Sequence, residues 1–386
     1  MIDFAMLHKV YLTLAVLLSL SYNPYSSFQR ADANAQDSSK VITLSFVGDL
    51  MCHMPQYKSA MVSADSFDFA PVFENVIGEF KKSDCLFGNL ETVFAGADKN
   101  YSGYPLFNSP DDYVKSLRTV GFDFLFTSNN HCIDRGEYGI LRTIQQINKC
   151  GIKSTGTFSS QRDKDSIRII NIKGINAALL GYTKDLNGNA SPKNKMYLVN
   201  IIDTAQIRID IAKARTYSPD LVIVYMHIGE EDQRTENKHQ REAVSAVVNA
   251  GADIIICSHP HVLQPVEYFK TNNTKLDSGI VAYSLGNFFS NQQWRYSDAG
   301  VILDLQIEKN LSSGKLKLKN VNAVPTWVFK GIVKNKMRYY ILPSSMYGDT
   351  TLTYLGNSQK AKMKEAYYDS KKVLQSRGKI FINGEL

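Results

Sequence analysis

Cysteine is sparse in this sequence, and long apolar runs are missing from almost all of it. The chain has 386 residues and 5 cysteines, an odd number that includes no CxxC pair. This spacing excludes a finger-type zinc site and disfavours a disulfide framework, although one or two bridges stay open. We interpret the cysteines as small buried side chains; they are Cys52, Cys85, Cys132, Cys150 and Cys257.

Concentrated positive charge is also absent. Lys and Arg number 44 against 37 Asp and Glu, which gives a net charge of +7, and they are scattered along the chain. There is no Arg-rich or aromatic-interleaved basic stripe, so we predict no nucleic-acid partner. A mildly basic surface suits anionic lipid or an anionic polymer. With 44% hydrophobic and 21% charged residues and no internal repeat, the composition is that of an ordinary globular protein.

The N-terminus carries one apolar run, from Val10 to Tyr22. The run is shorter than the roughly 20 residues that a transmembrane helix needs, but it has the length of a signal-peptide core. Ala33-Asn34-Ala35 offers a small-x-small cleavage site, and an uncleaved signal anchor is the alternative. We predict that residues 1–40 are a signal peptide or membrane anchor followed by a linker. The protein would then be exported and extracytoplasmic, either membrane-anchored or secreted.

From Val41 onward, apolar strands alternate with amphipathic helices. This alternation predicts an α/β fold with a largely parallel or mixed sheet covered by helices. The pattern changes at about Ser312, so we predict a main domain at 41–310 and a C-terminal accessory region at 311–386. The predicted strands begin at Val41, Asp84, Phe122, Ile167, Ile175, Leu221, Asp253, Gly279 and Gly300, and the predicted helices span about 69–82, 111–120, 139–150, 204–215, 239–250 and 359–376.

Histidines collect where the predicted strands end. Of the 7 in the chain, His131, His227, His259 and His261 follow strands, and His53 lies just past one. The carboxyl ends of parallel strands converge on one edge of a sheet, where ligands and catalytic groups gather. Imidazoles mixed with carboxylate and amide oxygens suit divalent metals such as Zn, Mn, Fe or Co. We expect the paired histidines around Pro260 to point the same way from one extended segment.

Six motifs in a fixed order make the pattern specific. They are F-V-G-D-L-M, G-N-L-E, S-N-N-H-C-I-D-R-G-x-x-G, M-H-I-G-E-E, S-H-P-H-V-L-Q-P-V-E and Y-S-L-G-N-F. Between Val41 and Phe289 the chain thus resembles the CapA family of capsule and poly-γ-glutamate biosynthesis proteins, within the metallophosphatase-like superfamily. The resemblance implies a metallophosphatase-like layered α/β/β/α sandwich with a small C-terminal appendage.

The resemblance also implies a set of site residues. The matching metal positions are Asp49, Asn130, His227, His259 and His261, and His131 would face the scissile bond as a catalytic group. The second block normally offers a bridging Asp, and here Asn89 occupies that position, so we expect Glu91 to supply the carboxylate. A His of the first block is replaced by Met51, a poor ligand for a hard metal. One divalent ion, of the Mn, Zn or Fe type, is therefore a safer expectation than two.

Several neighbouring residues have two interpretations. Asp134 is expected to orient His131 as a second catalytic residue, or else to cap the helix that begins near Gly136. Glu230 and Glu231 would contact substrate or metal, or form a solvated pair on a loop. His53 is a candidate substitute for the ligand that Met51 lacks.

Three functions remain in competition. The first is metal-assisted hydrolysis or transfer during poly-γ-glutamate or capsule assembly, with an anionic polymer or a small phosphate or glutamyl substrate. The second is an exported phosphatase or phosphodiesterase. The third is a non-catalytic subunit that binds the polymer or membrane synthase subunits.

Overall fold

The computed structural model describes residues 38–276 and 278–383. The predicted signal segment at Val10–Tyr22 and the cleavage site at Ala33–Ala35 lie outside these residues. Among the described residues, no helix combines the length and apolar character required to cross a bilayer.

The strands of the described residues are these: β1 (Ser39–Leu50), β2 (Met61–Ser63), β3 (Ser66–Phe67), β4 (Cys85–Leu90), β5 (Phe124–Phe126), β6 (Lys153–Thr155), β7 (Arg168–Ile172), β8 (Ile175–Thr183), β9 (Leu221–His227), β10 (Ile254–Ser258), β11 (Val266–Lys270), β12 (Ser278–Ala282), β13 (Asn287–Phe289), β14 (Ala299–Asn310), β15 (Leu316–Val333), β16 (Lys336–Pro343) and β17 (Phe381–Ile382).

The α-helices are α1 (Met54–Ala60), α2 (Ile77–Phe80), α3 (Asp111–Val120), α4 (Gly136–Lys149), α5 (Gln161–Lys164), α6 (Thr204–Thr216), α7 (Lys238–Ala250) and α8 (Asn357–Leu374). Short 3₁₀ turns occur at Ala70–Phe73, Ala97–Lys99, Met196–Leu198 and Ser344–Gly348. The single helix predicted for 69–82 is wrong, because this stretch forms a 3₁₀ turn and the short α2 instead. The predicted helix at 111–120 is confirmed as α3, which ends at Gly121 with a left-handed φ of 114°.

Two sheets carry the fold. The first is mixed, in the order β16-β15-β14-β1-β4-β5-β6, with β13 beside β1 and β17 beside β15. Strands β1, β4, β5 and β6 are parallel, whereas β14, β15 and β16 run antiparallel to their neighbours. The second sheet has the order β11-β12-β10-β9-β8-β7, with a parallel centre and one antiparallel strand at each edge.

The sheets pack face to face and are covered by helices on their outer faces. Inner residues of both sheets, such as Leu44 and Ile223, share one buried cluster. The outer face of the first sheet packs on α3 through Leu117, and that of the second sheet packs on α6 and α7 through Ile211 and Val247. The α/β/β/α sandwich expected from the sequence is therefore confirmed.

The residues beyond 310 continue this architecture. Strand β15 pairs with β14 over most of its length, so the predicted accessory region extends the first sheet. Helix α8 covers that extension through Met363 and Ala366, which pack with Trp327 and Phe329.

Candidate metal centre

Strand ends from both sheets meet at one edge of the sandwich. Asp49 lies at the end of β1, and Glu91 directly follows β4. His227 is the last residue of β9, and His259 follows β10. Because β1 runs parallel to β4, and β9 runs parallel to β10, their carboxyl ends bring residues far apart in the chain into one buried cluster.

The most enclosed part of the cluster is an inner group of Asp49, Glu91 and His227. One ligand atom from each lies within 4.8 Å of the others. The side chains of Asp49 and Glu91 are fully buried and that of His227 is 1% exposed. Two buried carboxylates beside one buried imidazole form an arrangement that requires a counter-charge.

The carboxylate of Glu91 has a free oxygen. Oε1 is buried and has no hydrogen-bond partner, although it lies 3.6 Å from Nε2 of His227 and 3.7 Å from Nε2 of His261. Burial, together with the nearby charge of Asp49, raises the pKa of Glu91 well above its ordinary value. An orphaned carboxylate oxygen between two imidazole nitrogens fits a divalent cation of the Zn, Mn or Fe type.

His261 and Asp49 form a buried pair. Nδ1 of His261 lies 3.0 Å from Oδ2 of Asp49 and 3.1 Å from Oδ1 of Asn287. Burial by itself lowers the pKa of His261, but the charge of Glu91 and the contact with Asp49 outweigh it, so the pKa is raised. Burial likewise opposes ionisation of Asp49, yet the hydrogen bond and charge of His261 hold the pKa of that carboxyl below its usual range.

Asn89 joins the two carboxylates of the inner group. Its Nδ2 donates to Oδ1 of Asp49 at 2.7 Å and to Oε2 of Glu91 at 3.0 Å. The amide therefore presents hydrogens, not oxygen, toward the inner group. Asn89 itself has no carboxylate that could bridge two cations. The carboxylate that follows β4 is that of Glu91.

The orientation of the Asn89 amide is fixed by Asn129. Nδ2 of Asn129 donates to the carbonyl oxygen of Leu90 at 2.7 Å, and its Oδ1 accepts from the backbone N–H of His131 at 3.2 Å. Both backbone groups are unambiguous, so Nδ2 of Asn129 must also be the donor to Oδ1 of Asn89, at 3.1 Å. A chain of neutral amides thus points the NH₂ of Asn89 at the carboxylates.

A second amide chain positions His227. Nε2 of His227 lies 3.0 Å from Oδ1 of Asn130, and its Nδ1 lies 3.0 Å from the hydroxyl of Tyr225. Nδ2 of Asn130 donates to Oδ1 of Asn187 at 3.1 Å, which turns the oxygen of Asn130 toward the histidine. Burial, with the nearby His259 and His261, lowers the pKa of His227 well below its usual value, so the ring is neutral and able to bind a cation.

The predicted catalytic pair is in contact. Nδ1 of His131 lies 2.8 Å from Oδ2 of Asp134, which also accepts the backbone N–H of Phe107 at 2.7 Å. The ring of Phe107 stands edge-on to His131 with centroids 4.7 Å apart. Nε2 of His131 lies 3.4 Å from Nδ2 of Asn187, whose Oδ1 accepts from Asn130 of the cluster. The alternative cap role of Asp134 is wrong, because α4 has Arg135 at its N-cap position.

A looser outer group consists of Glu231, His259 and His261. Glu231 is exposed, and His259 has a buried Nδ1 without a hydrogen-bond partner. The expectation that the two histidines project from an extended segment is wrong, since His259 and His261 have φ values of 107° and 56°. Their rings reach the cluster from a tight turn, with centroids 6.1 Å apart.

His53 and the cysteines stay outside both groups. His53 caps α1, with Nδ1 3.0 Å from Oε1 of Gln56, and burial lowers its pKa to about 4. Cys52, Cys132 and Cys257 are buried, and burial raises the pKa of each thiol. They are core residues, as the sequence predicted.

Comparison with known proteins identifies the family. The family described as "Bacterial capsule synthesis protein PGA_cap" matches residues 43–292. The chain belongs to this family.

Two members of known name are similar along most of the chain. The PGA biosynthesis protein CapA of Bacillus subtilis (strain 168) is 30% identical over 306 residues, which cover 78% of this chain and 77% of that protein. The capsule biosynthesis protein CapA of Bacillus anthracis is 30% identical over 276 residues, covering 70% of this chain and 64% of that protein. The family resemblance predicted from the six motifs is confirmed.

Solved structures show more distant similarity. The NAD nucleotidase of Haemophilus influenzae aligns with a TM-score of 0.47 at 12% identity, over 90% of this chain and 58% of that one. The calcineurin-like phosphoesterase YfkN of Bacillus subtilis aligns with a TM-score of 0.42 at 14% identity, over 86% of this chain and 98% of that one.

Several residues of this PGA_cap site were not predicted from the sequence. Asn129 lies inside the quoted S-N-N-H motif, and Asn287 inside Y-S-L-G-N-F, so motif membership alone would have identified them. Tyr225 lies two residues before His227 on the same strand face. Asn187 lies in the loop after β8, four residues beyond its end, and no motif quoted from the sequence includes it.

Proposed function

We propose that this chain acts in the synthesis of a poly-γ-glutamate capsule, through a metal-dependent, hydrolase-like centre on an exported protein. Membership of the PGA_cap family and the names of the two Bacillus relatives support a role in making this polymer. The position of the site residues at the ends of the strands supports the metal-dependent centre.

The observation that carries this proposal is the orphaned oxygen of Glu91. It is buried between Nε2 of His227 and Nε2 of His261, and a second buried ligand atom, Nδ1 of His259, also lacks a partner. Glu91, His227, Asp49 and the oxygen of Asn130 would hold the cation, with His259 and His261 on its outer side. When bound, a divalent cation polarises the group under attack and lowers the pKa of a water molecule.

His131 has the geometry of a proton carrier. Because Asp134 accepts the Nδ1 hydrogen of His131, Nε2 carries a lone pair, which faces the Nδ2 donor of Asn187 at 3.4 Å. In hydrolysis of a γ-glutamyl amide, water forms a new C–O bond and the C–N bond breaks. Nε2 of His131 would accept the proton that water loses and deliver it to the departing nitrogen. In transfer of the glutamyl group, an incoming amine would take the place of water in the same series of steps.

A non-catalytic subunit is the second candidate. It is favoured by Asn89, whose NH₂ group occupies a position between two carboxylates where it opposes a second cation. Such a subunit would bind the polymer or membrane synthase subunits without hydrolysis. Export through the apolar segment before residue 38, and association with the membrane at that end, are part of both candidates.

Metal content of the full chain is the first test. Elemental analysis of the purified protein after incubation with Mn or Zn should find about one ion per chain, and His227→Ala should lose it. His239→Ala is the matched control, since that histidine is 78% exposed on α7. Cleavage or extension of γ-linked oligoglutamate should be seen in the proteins that bind metal and be lost in His227→Ala.

The alternatives give different results. Metal binding with turnover of a generic phosphodiester, abolished by His227→Ala, and no action on γ-linked glutamate would favour the phosphodiesterase. Absence of metal from the unaltered chain, with co-purification of synthase subunits, would leave the binding subunit as the function.

A further inference from the structure

A cleft of about 60 Å³ lies between the loop that follows β13 and helix α8. It has room for a small polar group such as a carboxylate. The charged and aromatic residues that line it are Arg234, Arg295, Tyr296, Asp298, Lys362, Glu365 and Asp369. Glu365 pairs with Arg295 at 3.2 Å. None of these was identified from the sequence.

Arg234 is held in the cleft but has no ionic partner there. Its guanidinium lies 3.9 Å from the centroid of the Tyr296 ring, and Nη2 donates to the backbone oxygen of Asp369 at 3.0 Å. Its Nε is buried and has no hydrogen-bond acceptor among the described residues. A buried, unsatisfied donor on a charged group costs free energy unless a ligand or water satisfies it.

The acids of the cleft are already engaged. Both oxygens of Asp369 bind Arg295, at 2.9 and 3.2 Å. Oδ2 of Asp298 accepts Nε1 of Trp327 at 2.7 Å. Among the described residues, neither Arg234 nor Lys362 forms an ion pair, although the charge of Lys362 favours ionisation of the nearby Asp298.

Tyr296 has the backbone of a constrained position. Its φ is 78°, a region that non-glycine residues rarely occupy. This conformation places the ring against Arg234 and, at 4.9 Å, against the Arg295 guanidinium. The aromatic ring therefore fixes the direction of Arg234 before any ligand arrives.

The cleft is linked to the metal centre by three chain segments. Arg234 lies three residues after Glu231, and Leu263, which also lines the cleft, lies two residues after His261. The loops are tied together where the N–H of Asp232 donates to the oxygen of Pro260 at 2.9 Å and Nε1 of Trp294 donates to Oδ1 of Asp232 at 3.2 Å. These contacts hold the loops of the cleft close to those of the outer histidines.

We propose that this cleft is a subsite for the α-carboxylate of a γ-linked glutamyl chain, one or more units away from the metal centre. Arg234 binds the carboxylate through its free donors and Lys362 adds a second positive charge at the rim. The choice of a glutamyl chain rests on the proposed function, whereas the preference for a carboxylate rests on the two unpaired cations.

Tryptophan fluorescence offers a native readout. The chain has two tryptophans, and both border the cleft: Trp294 lies between Gln293 and Arg295 of its wall, and Trp327 is bonded to Asp298. Titration of the full chain with γ-linked pentaglutamate should change the emission and give a dissociation constant. Arg234→Gln should weaken binding by about tenfold or more, and Lys362→Gln by a few-fold.

Lys364→Gln is the matched control. It removes the same charge from α8, but Lys364 lies over the Tyr347 ring, away from the cleft. This variant should bind within about twofold of the unaltered chain. Lys362 is exposed on α8, so its variant keeps the test open if Arg234→Gln fails to fold.

Two results would overturn the subsite. One is unchanged affinity in both Arg234→Gln and Lys362→Gln. The other is equally tight binding of inorganic phosphate or α-linked pentaglutamate, which would make the cleft a general anion site. His227→Ala separates this inference from the proposed function: it should lose the metal and still bind the γ-linked oligomer through the cleft. Binding that does not depend on Arg234, together with retained metal and turnover in the unaltered chain, would overturn the subsite alone.

Discussion

The inner and outer groups of the metal centre share a histidine-carboxylate chemistry but differ in how they are built. Asp49, Glu91 and His227 stand at the ends of strands, are almost fully buried and are oriented by two chains of amides. Glu231, His259 and His261 depend on turns with left-handed backbone, and Glu231 is exposed. Rigid strands fix ligands more accurately than loops do, so the inner group is expected to bind one cation tightly and the outer group to add little.

The largest expected effect comes from removing the charge of the inner group. Glu91→Gln keeps the shape of the side chain but removes the free carboxylate oxygen, so the metal content should fall from about one ion per chain to nearly none. Elemental analysis after dialysis measures this. Glu242→Gln, an exposed change on α7, is the control, and equal metal in both variants would contradict the ranking of the two groups.

Asn89→Asp should reverse the restriction to one cation. A third carboxylate would replace the NH₂ donor between Asp49 and Glu91, and the metal content should rise toward two ions per chain. Without metal, crowding of like charges should lower the stability by a few kcal/mol, and metal should restore it. Thermal unfolding with and without Mn measures the second effect. Asn249→Asp on the exposed side of α7 serves as the comparison, and an unchanged ion count in Asn89→Asp would refute the role of the amide.

Asp304 shows what burial does to a carboxylate outside both groups. Burial raises its pKa to about 6, although Ser45 donates a hydrogen bond to it at 2.6 Å. Since the folded protein binds this proton more tightly than the unfolded chain, whose value is 3.8, the stabilising contribution is complete below pH 4 and is lost as the pH rises through 6. The loss is about 3 kcal/mol.

Asp304→Asn should remove this part of the pH dependence. Urea unfolding between pH 4 and 7 should show a flatter stability profile for the variant than for the unaltered chain. Asp65→Asn, at an exposed position, should leave the profile unchanged. Parallel profiles for all three proteins would mean that Asp304 does not titrate in this range.

The smallest effect is expected in the outer group. Glu231→Gln should weaken metal binding only several-fold, because its exposed carboxylate is well solvated before the ion arrives. Competition with a chelator measures the affinity. Glu230→Gln is a close control, since Glu230 pairs with Lys184 at 3.2 Å. A loss as large as that of Glu91→Gln would place the main site in the outer group.

The sequence was sufficient for the layered fold and for the convergence of most of the candidate ligands at one edge of the sandwich. Apolar strands such as β9 and β10 are continuous and buried on both faces, and polar residues such as His227 lie at their ends. The direction of the strands was therefore enough to predict that these polar residues converge. The substitution of Asn89 for an acid could also be seen in the G-N-L-E motif.

Other features depend on partners distant in the chain. The donor side of the Asn89 amide is decided by Asn129, 40 positions away, and Asn187 contacts His131 from 56 positions away. Local patterns do not report such contacts. The left-handed φ of His259 and the cleft around Arg234 likewise arise from packing between loops, which periodicity does not describe.

The junction between β1 and β13 has a consequence for how the centre forms. A side chain at Gly48 would place its Cβ 1.9 Å from the carbonyl oxygen of Gly286, and the N–H of Asp49 donates to that oxygen at 3.0 Å. The pair of Asp49 and His261 spans 212 positions of the chain. Closing so long a loop is slow, and no local segment contains a complete set of ligands. During synthesis, therefore, the centre cannot be assembled until the ribosome has passed residue 287, and a cation captured earlier would be held by single side chains and exchanged.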